Sequence, residues 1–198
     1  MFLHQTRLNK MAKEAYKSEL FIGNLADGLV LSSGKWLVWV DQFYVSNKLK
    51  GLVMELAGCL PRTNSVFKIS RKDPRPEYLE SDAAYISILK AFERIDTKLV
   101  ETPLIVNENL KLLQHGKDFS ILGVPLNWYQ AVDKYSIDYS IEGEPTGPCC
   151  SGTLNPEVYW YNSICKYMVI PTQLSTVKVH PELIETLETI NFDTKNKS

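Results

Sequence analysis

The sequence predicts an α+β fold: a single domain over residues 1–198, with a mixed or mostly antiparallel sheet and helices packed on one face. Residues 36–40 form an unbroken aromatic and β-branched run, W-L-V-W-V, which is typical of a strand covered on both sides. The apolar residues between 45 and 56 follow with helical spacing. Other strand-like and helix-like segments are interspersed without β-α-β alternation, and we find no repeat or linker.

Composition limits the classes of function. The chain has 198 residues, 44% of them hydrophobic and 23% charged, which is enough for a core without disulfides or bound metal. The 22 basic residues are nearly balanced by 23 acidic ones, so the net charge does not favour nucleic acid and any such binding would have to come from a local basic patch. Neither a signal peptide nor a membrane-length apolar run is recognisable, so we expect a soluble cytoplasmic protein without membrane contact.

Hydrophobic periodicity and end signals predict the elements of the first half. They are a helix over 8–21, a hairpin of 29–31 and 36–40, a helix over 46–57, a strand over 65–70 and a helix over 82–95. Gly58 is predicted to end the second helix in a left-handed conformation. Ser81 is predicted to be the N-cap of the third helix, and the prolines of 71–77 exclude a helix before it.

The second half is predicted in the same way. Its elements are an edge strand or irregular segment over 99–106, a short helix over 107–114, strands over 119–122, 135–141 and 158–170, a loop over 142–156, a helix from 180 and a frayed tail over 192–198. Pro103 favours an edge position because proline cannot donate to a β-ladder. Three glycines and three prolines predict that the loop is irregular and mobile, with Cys149 and Cys150 exposed on it.

Recognisable catalytic motifs are missing from the sequence. Gly34-Lys35 does not fit a phosphate-binding loop, because Trp36 stands where that motif needs Ser or Thr. There is no G-x-S-x-G elbow, and the three histidines are too dispersed for a zinc motif. We therefore expect neither a metal nor a cofactor.

An enzyme is the second alternative function. One version uses Cys149 or Cys150 as a nucleophile, although the loop contains no basic residue that would activate a thiol. The other uses Asp138 and Glu142, which are four residues apart on the predicted strand over 135–141 and its end. Exposed carboxylates on a strand usually only solvate the sheet face.

Single-stranded nucleic-acid binding is the first alternative. Basic residues cluster on the predicted strand over 65–70 and near it, with Phe67 and Tyr78 close in sequence: Arg62, Lys68, Arg71, Lys72 and Arg75. Cations for phosphates and rings for bases are the pattern that such binding uses. The same residues equally suit an edge strand protected against unwanted pairing.

The leading hypothesis is a non-catalytic binding, adaptor or assembly protein that acts through a protein partner or self-association; a viral or phage accessory or structural protein fits this description. Tyr159, Trp160 and Tyr161 are consecutive large rings, and such residues are favoured anchors of interfaces. A mobile loop would bring Cys149 and Cys150 to the same surface. We therefore predict that these five residues lie at a protein interface.

Overall fold

The computed structural model describes residues 1–95, 97–134, 137, 139–151, 156–177 and 179–193. The helices are α1 (Gln5–Tyr16), α2 (Asn47–Ala57), α3 (Ala83–Ala91), α4 (Leu126–Tyr129), α5 (Tyr139–Glu142) and α6 (Pro181–Glu188). The strands are β1 (Leu20–Leu25), β2 (Gly28–Ser32), β3 (Trp36–Asp41), β4 (Ser65–Ile69), β5 (Glu77–Tyr78), β6 (Thr97–Val106), β7 (Leu110–His115), β8 (Ile121–Pro125), β9 (Thr146–Cys150), β10 (Val158–Tyr161) and β11 (Cys165–Val169).

These strands form one antiparallel sheet. Within the described part of the chain the sheet has 11 strands, in the order β5-β4-β1-β2-β3-β11-β10-β9-β6-β7-β8. The pairing of β3 with β11 runs from Trp36 opposite Val169 to Val40 opposite Cys165, and it joins the N-terminal strands to the C-terminal ones. The predicted α+β fold with an antiparallel sheet is therefore confirmed.

Both faces of the central strands are covered. Trp36 and Val38 of β3 belong to a core cluster that also contains the buried residues of α1 and α2. Leu37 and Trp39 belong to a second cluster, with Phe92 at the end of α3. The expectation that the helices share one face is thus not met by α3. An interior strand that is apolar on both sides needs a cover on both.

The first half follows its sequence signals at α2, but the predicted N-cap of α3 is wrong by one residue, because Asp82 and not Ser81 occupies that position. Ser46 caps α2 by accepting a hydrogen bond from the Leu49 amide at 3.2 Å, and Gly58 ends the helix with φ +71°. The predicted helix over 8–21 is too long, because α1 ends at Tyr16 and Leu20 begins β1. Pairing of β1 with both β2 and β4 overrides the local helical pattern there.

Two predictions for residues 99–114 are wrong. Residues 107–114 do not form a helix: Asn107 and Glu108 have φ of +50° and +60° in a turn, and β7 follows. Residues 99–106 are not at an edge, since β6 lies between β9 and β7. Pro103 is tolerated because it falls in the irregular part of the ladder, between Glu101 and Ile105.

The late aromatic segments also differ from expectation. Residues 158–170 form a hairpin of β10 and β11, not one strand, because the Asn162 side chain accepts hydrogen bonds from the amides of Ile164 and Cys165 at 3.1 and 2.9 Å. Of the predicted strand over 135–141, residues 135, 136 and 138 lie outside the described residues. Its end forms the helical turn α5, so the strand prediction is wrong there.

Gln114 attaches the C-terminal helix to the sheet. This side chain is fully buried on β7, where its Nε2 donates to the Ile190 carbonyl oxygen at 2.6 Å. Its Oε1 accepts a hydrogen bond from the Phe192 amide at 3.0 Å. Phe192, the first residue of the predicted frayed tail, is therefore held against the body. Residues 194–198 lie outside the described residues.

Replacing Gln114 by leucine should loosen α6. Gln114→Leu keeps the apolar packing but leaves the Ile190 carbonyl and the Phe192 amide without their buried partner, so we expect about 1–3 kcal/mol less free energy of unfolding. Chemical denaturation measures the loss, and hydrogen exchange should show reduced protection of the α6 amides. Gln173→Leu, at an exposed position, is the control. Equal stability of the two variants would contradict this role.

Candidate functional site

The predicted aromatic interface lies mostly inside the core. Tyr159 and Trp160 are buried on β10, and Tyr161 is half-buried. The Trp160 ring stacks on Tyr167 with centroids 5.5 Å apart, while Tyr159 meets Phe92 edge-on at 4.9 Å. A sheet covered on both faces accommodates large rings on either side. An interface at these residues stays a prediction. It gains no support from Tyr159 and Trp160, because both side chains are buried.

The vicinal cysteines are in a strand, so the prediction that they are exposed in an irregular loop is wrong. Cys149 and Cys150 end β9, which pairs with β10 on one side and β6 on the other, and both are buried. Burial raises the pKa of the Cys149 thiol, although the charges of Lys98 and Lys134 oppose the shift. A thiol held protonated is a poor nucleophile.

The proposed carboxylate pair does not form a described site. Asp138 lies outside the described residues. Glu142 lies in α5, where its carboxylate contacts the amino group of Met1. Among the residues that the structure describes, no group of three or more His, Cys, Asp or Glu side chains could hold a metal ion.

The predicted basic cluster is on β4 and the turns beside it, but much of its charge is engaged locally. Three of the five residues contact a neighbouring acid or ring: Lys68 with Glu77 (3.2 Å), Arg75 with Asp73 (3.3 Å) and Arg62 with the ring of Tyr78 (4.9 Å to its centre). Arg71 and Lys72 are exposed in the turn after β4. The structure thus leaves fewer cations for phosphates than the sequence suggests.

A prominent exposed aromatic residue lies at the end of β3. Phe43 is 93% exposed in a short 3-10 turn between β3 and α2. Its amide donates to the Asp41 carboxylate at 2.9 Å, and the Gln42 amide donates to the Asp27 carbonyl oxygen at 2.9 Å. The turn therefore presents the ring on a fixed backbone. The exposed large apolar residues between positions 43 and 60 are Phe43, Tyr44, Met54 and Leu60, and we call them together the Phe43 surface.

A small cavity adjoins the Phe43 surface. Its volume is about 120 Å³, and it is lined by Asn24, Leu29, Gln42, Val45, Lys50, Leu60 and Pro61. Gln42 and Val45 flank Phe43 and Tyr44 in the chain, and Lys50 is one helical turn before Met54 on α2. The cavity therefore lies next to the turn that carries Phe43.

A larger cavity, which we call the polar cavity, lies beside α1. Its volume is about 390 Å³, and it is lined by Arg7, Glu101, Tyr129, Gln130, Val132, Lys134 and Trp160. The Tyr129 hydroxyl donates to Glu101 Oε2 at 2.6 Å. Lys134 Nζ is 3.4 Å from Glu101 Oε1 and donates to the Gly147 carbonyl oxygen at 3.0 Å. These contacts hold a carboxylate, a phenol and an ammonium group together at the cavity.

Comparisons with known proteins found no matching family model, no similar curated protein and no similar solved structure. None of the helices in the described ranges has the length and apolar character needed to cross a membrane. We therefore infer function from this chain's own surfaces.

Neither the Phe43 surface nor the polar cavity was identified from the sequence. Phe43 and Tyr44 carried a usable signal: they are large rings that fit neither the period of the strand before them nor that of the helix after them. The polar cavity had no such signal, because its lining comes from α1, β6, the segment 129–134 and β10.

The four cysteines should react with thiol reagents in an order set by burial. Cys59 is half-buried, whereas Cys149, Cys150 and Cys165 are buried. In the native protein at mildly alkaline pH we expect Cys59 to react at least about tenfold faster than the others, which require opening of the sheet. Mass spectrometry after timed labelling measures this order. Cys59→Ser should abolish the fast phase, and early labelling of Cys149 or Cys150 would contradict the strand assignment of β9.

Proposed function

We propose that the protein is a non-catalytic binding protein that acts through protein–protein contacts, with a second copy of this chain as a partner at the Phe43 surface. The observation that supports this proposal is the 93% exposure of Phe43 on a turn that hydrogen bonds hold in place. Burying a phenylalanine side chain contributes about 1.5–3 kcal/mol. A fixed backbone reduces the entropy lost when such a residue binds.

Self-association is favoured because the same surface offers both a protruding ring and a recess. The cavity of about 120 Å³ beside Phe43 is close in size to apolar cavities that hold a single aromatic ring. In a two-fold dimer the same surface is used by both copies. Phe43 of each copy would then insert into the cavity of the other. Leu29, Val45 and Leu60 supply apolar wall for that contact.

The alternative functions have less support from the described geometry. Nucleic-acid binding would rely mainly on Arg71 and Lys72, since the other three cations of the cluster have local partners. Catalysis by Cys149 or Cys150 would need a thiolate on a buried strand. Both remain alternatives, and neither uses Phe43, the most exposed large hydrophobic residue among those that the structure describes.

Removing the Phe43 ring should weaken self-association. We expect the weight-average mass of the unmodified chain in sedimentation equilibrium to rise above 22.6 kDa with concentration. Phe43→Ser should weaken association by about a hundredfold or more, because a ring worth about 1.5–3 kcal/mol is lost from each side of the dimer.

Leu183→Ser is the matched control, since Leu183 is an exposed apolar residue on α6, away from the Phe43 surface. It should associate like the unmodified chain. A chain that stays monomeric at all concentrations, or that associates equally well with Phe43→Ser, would contradict the proposal.

A further inference from the structure

We infer that Lys166 is a covalent binding site for small apolar aldehydes, which its side-chain amine holds as a Schiff base. Lys166 is half-buried on β11, opposite Trp39, whose side chain belongs to the core cluster on the α3 side of the sheet. The site shares no residue with the Phe43 surface or with the polar cavity, and the inference does not depend on self-association.

The strand register places aromatic residues on both sides of Lys166. It lies opposite Trp39 of β3 and opposite Tyr161 of β10. Residues directly opposite each other on antiparallel strands share one face of the sheet. Lys166 Nζ is 5.1 Å from the centre of the Trp39 ring and 5.7 Å from the centre of the Phe92 ring, which follows α3. The amine therefore lies against the faces of two rings.

Both rings are fixed by contacts of their own. Trp39 Nε1 donates to the Leu25 carbonyl oxygen at 3.0 Å. Phe92 meets Tyr159 and Tyr161 edge-on, with ring centroids 4.9 and 6.1 Å apart. Because Trp39 and Phe92 are buried, they form a rigid wall beside the amine. Their faces exclude water from that side of the amine without offering it an oxygen acceptor.

The Lys166 amine also lacks the oxygen partners that comparable lysines have. Lys111 and Lys134 are half-buried too, and each donates to a carbonyl oxygen, that of Thr102 and that of Gly147. Among the residues that the structure describes, Lys166 Nζ has neither a hydrogen-bond acceptor nor a carboxylate within ion-pair distance. A lysine amine that has lost water and has no paired acid is typical of Schiff-base lysines.

Loss of water favours the form of the amine that reacts. Burial lowers the pKa of the Lys166 ammonium, although the negative charge of Glu93 opposes the shift. The neutral amine, and not the ammonium ion, attacks a carbonyl carbon. A larger neutral fraction at neutral pH therefore makes Lys166 more reactive than a lysine in water.

The reaction with an aldehyde needs no oxidant or metal. The neutral Nζ adds to the carbonyl carbon and forms a C–N bond. The carbonyl oxygen takes one amine proton and one proton from solvent and leaves as water, so the product is a C=N bond whose nitrogen keeps the second amine proton. This iminium ion is a cation that the faces of Trp39 and Phe92 still stabilise. Because it is less strongly hydrated than an ammonium ion, partial burial disfavours it less.

The test is reductive trapping of the native chain with benzaldehyde and cyanoborohydride at neutral pH, stopped at low conversion. Cyanoborohydride converts the Schiff base into a stable secondary amine, which peptide mass spectrometry locates. We expect Lys166 to be modified at least about threefold faster than Lys35 and Lys48, which are exposed. In urea-unfolded chain the three lysines should react alike.

Two variants separate this reactivity from mere exposure. Glu93→Gln removes the exposed carboxylate that favours the ammonium form, so it should speed modification of Lys166 and leave Lys35 unchanged. Glu185→Gln, on α6, is the matched control and should leave both rates unchanged. Lys166→Arg keeps a cation at the rings and should remove the fast site.

Three results would each overturn the inference. The first is modification of Lys166 no faster than that of Lys35 and Lys48 in the native chain. The second is a preference for Lys166 that persists in urea, because it would then come from the local sequence and not from the fold. The third is a Glu93→Gln variant whose Lys166 reacts no faster than that of the unmodified chain.

Discussion

The pairing of β3 with β11 is the interaction on which the rest of the structure depends. It joins strands that come from the first 80 residues to strands that come from the last 100 or so, and no other ladder between described strands connects those groups. Both strands are almost entirely buried, so their side chains need cover on each face of the sheet. The two core clusters on opposite sides of β3 follow from that requirement.

Both candidate sites are positioned by this pairing. Phe43 is in the turn that directly follows β3, and Trp160 is on β10, the strand next to β11. The packing around them is close. A Cβ on Gly28 would lie 2.3 Å from Trp39 Nε1, and one on Gly147 would lie 2.5 Å from the Tyr159 carbonyl oxygen. Glycine at these two positions lets the backbone approach its neighbours closely enough for the sheet to form.

The sequence predicted those elements whose signals are local. Ser46, Gly58 and Pro181 mark helix ends through contacts within one or two turns. The composition of residues 36–40 alone predicted the strand that they form. It did not predict elements that depend on distant partners. Gly147 and Pro148 in β9 are typical of a loop, yet β9 pairs with β10 on one side and with β6 on the other. The cysteine assignment failed for the same reason.

The functional sites show the same contrast. The basic cluster and the aromatic run were visible because their residues are neighbours in sequence, but folding paired much of the first and buried much of the second. The polar cavity brings together Arg7, Glu101, Lys134 and Trp160, which are far apart along the chain. Without knowledge of the strand order, nothing in the sequence places these four residues together.

Native-state hydrogen exchange tests most directly whether the β3–β11 pairing makes the sheet one cooperative unit. We predict that hydrogen-bonded amides of β3 and β11 exchange only through global unfolding, with the free energy found by chemical denaturation. The most protected amides of β1 and of β7 should report that same value. If the strands on one side of the pairing exchange at a clearly lower free energy than those on the other, the two halves unfold separately and the β3–β11 pairing does not make the sheet one cooperative unit.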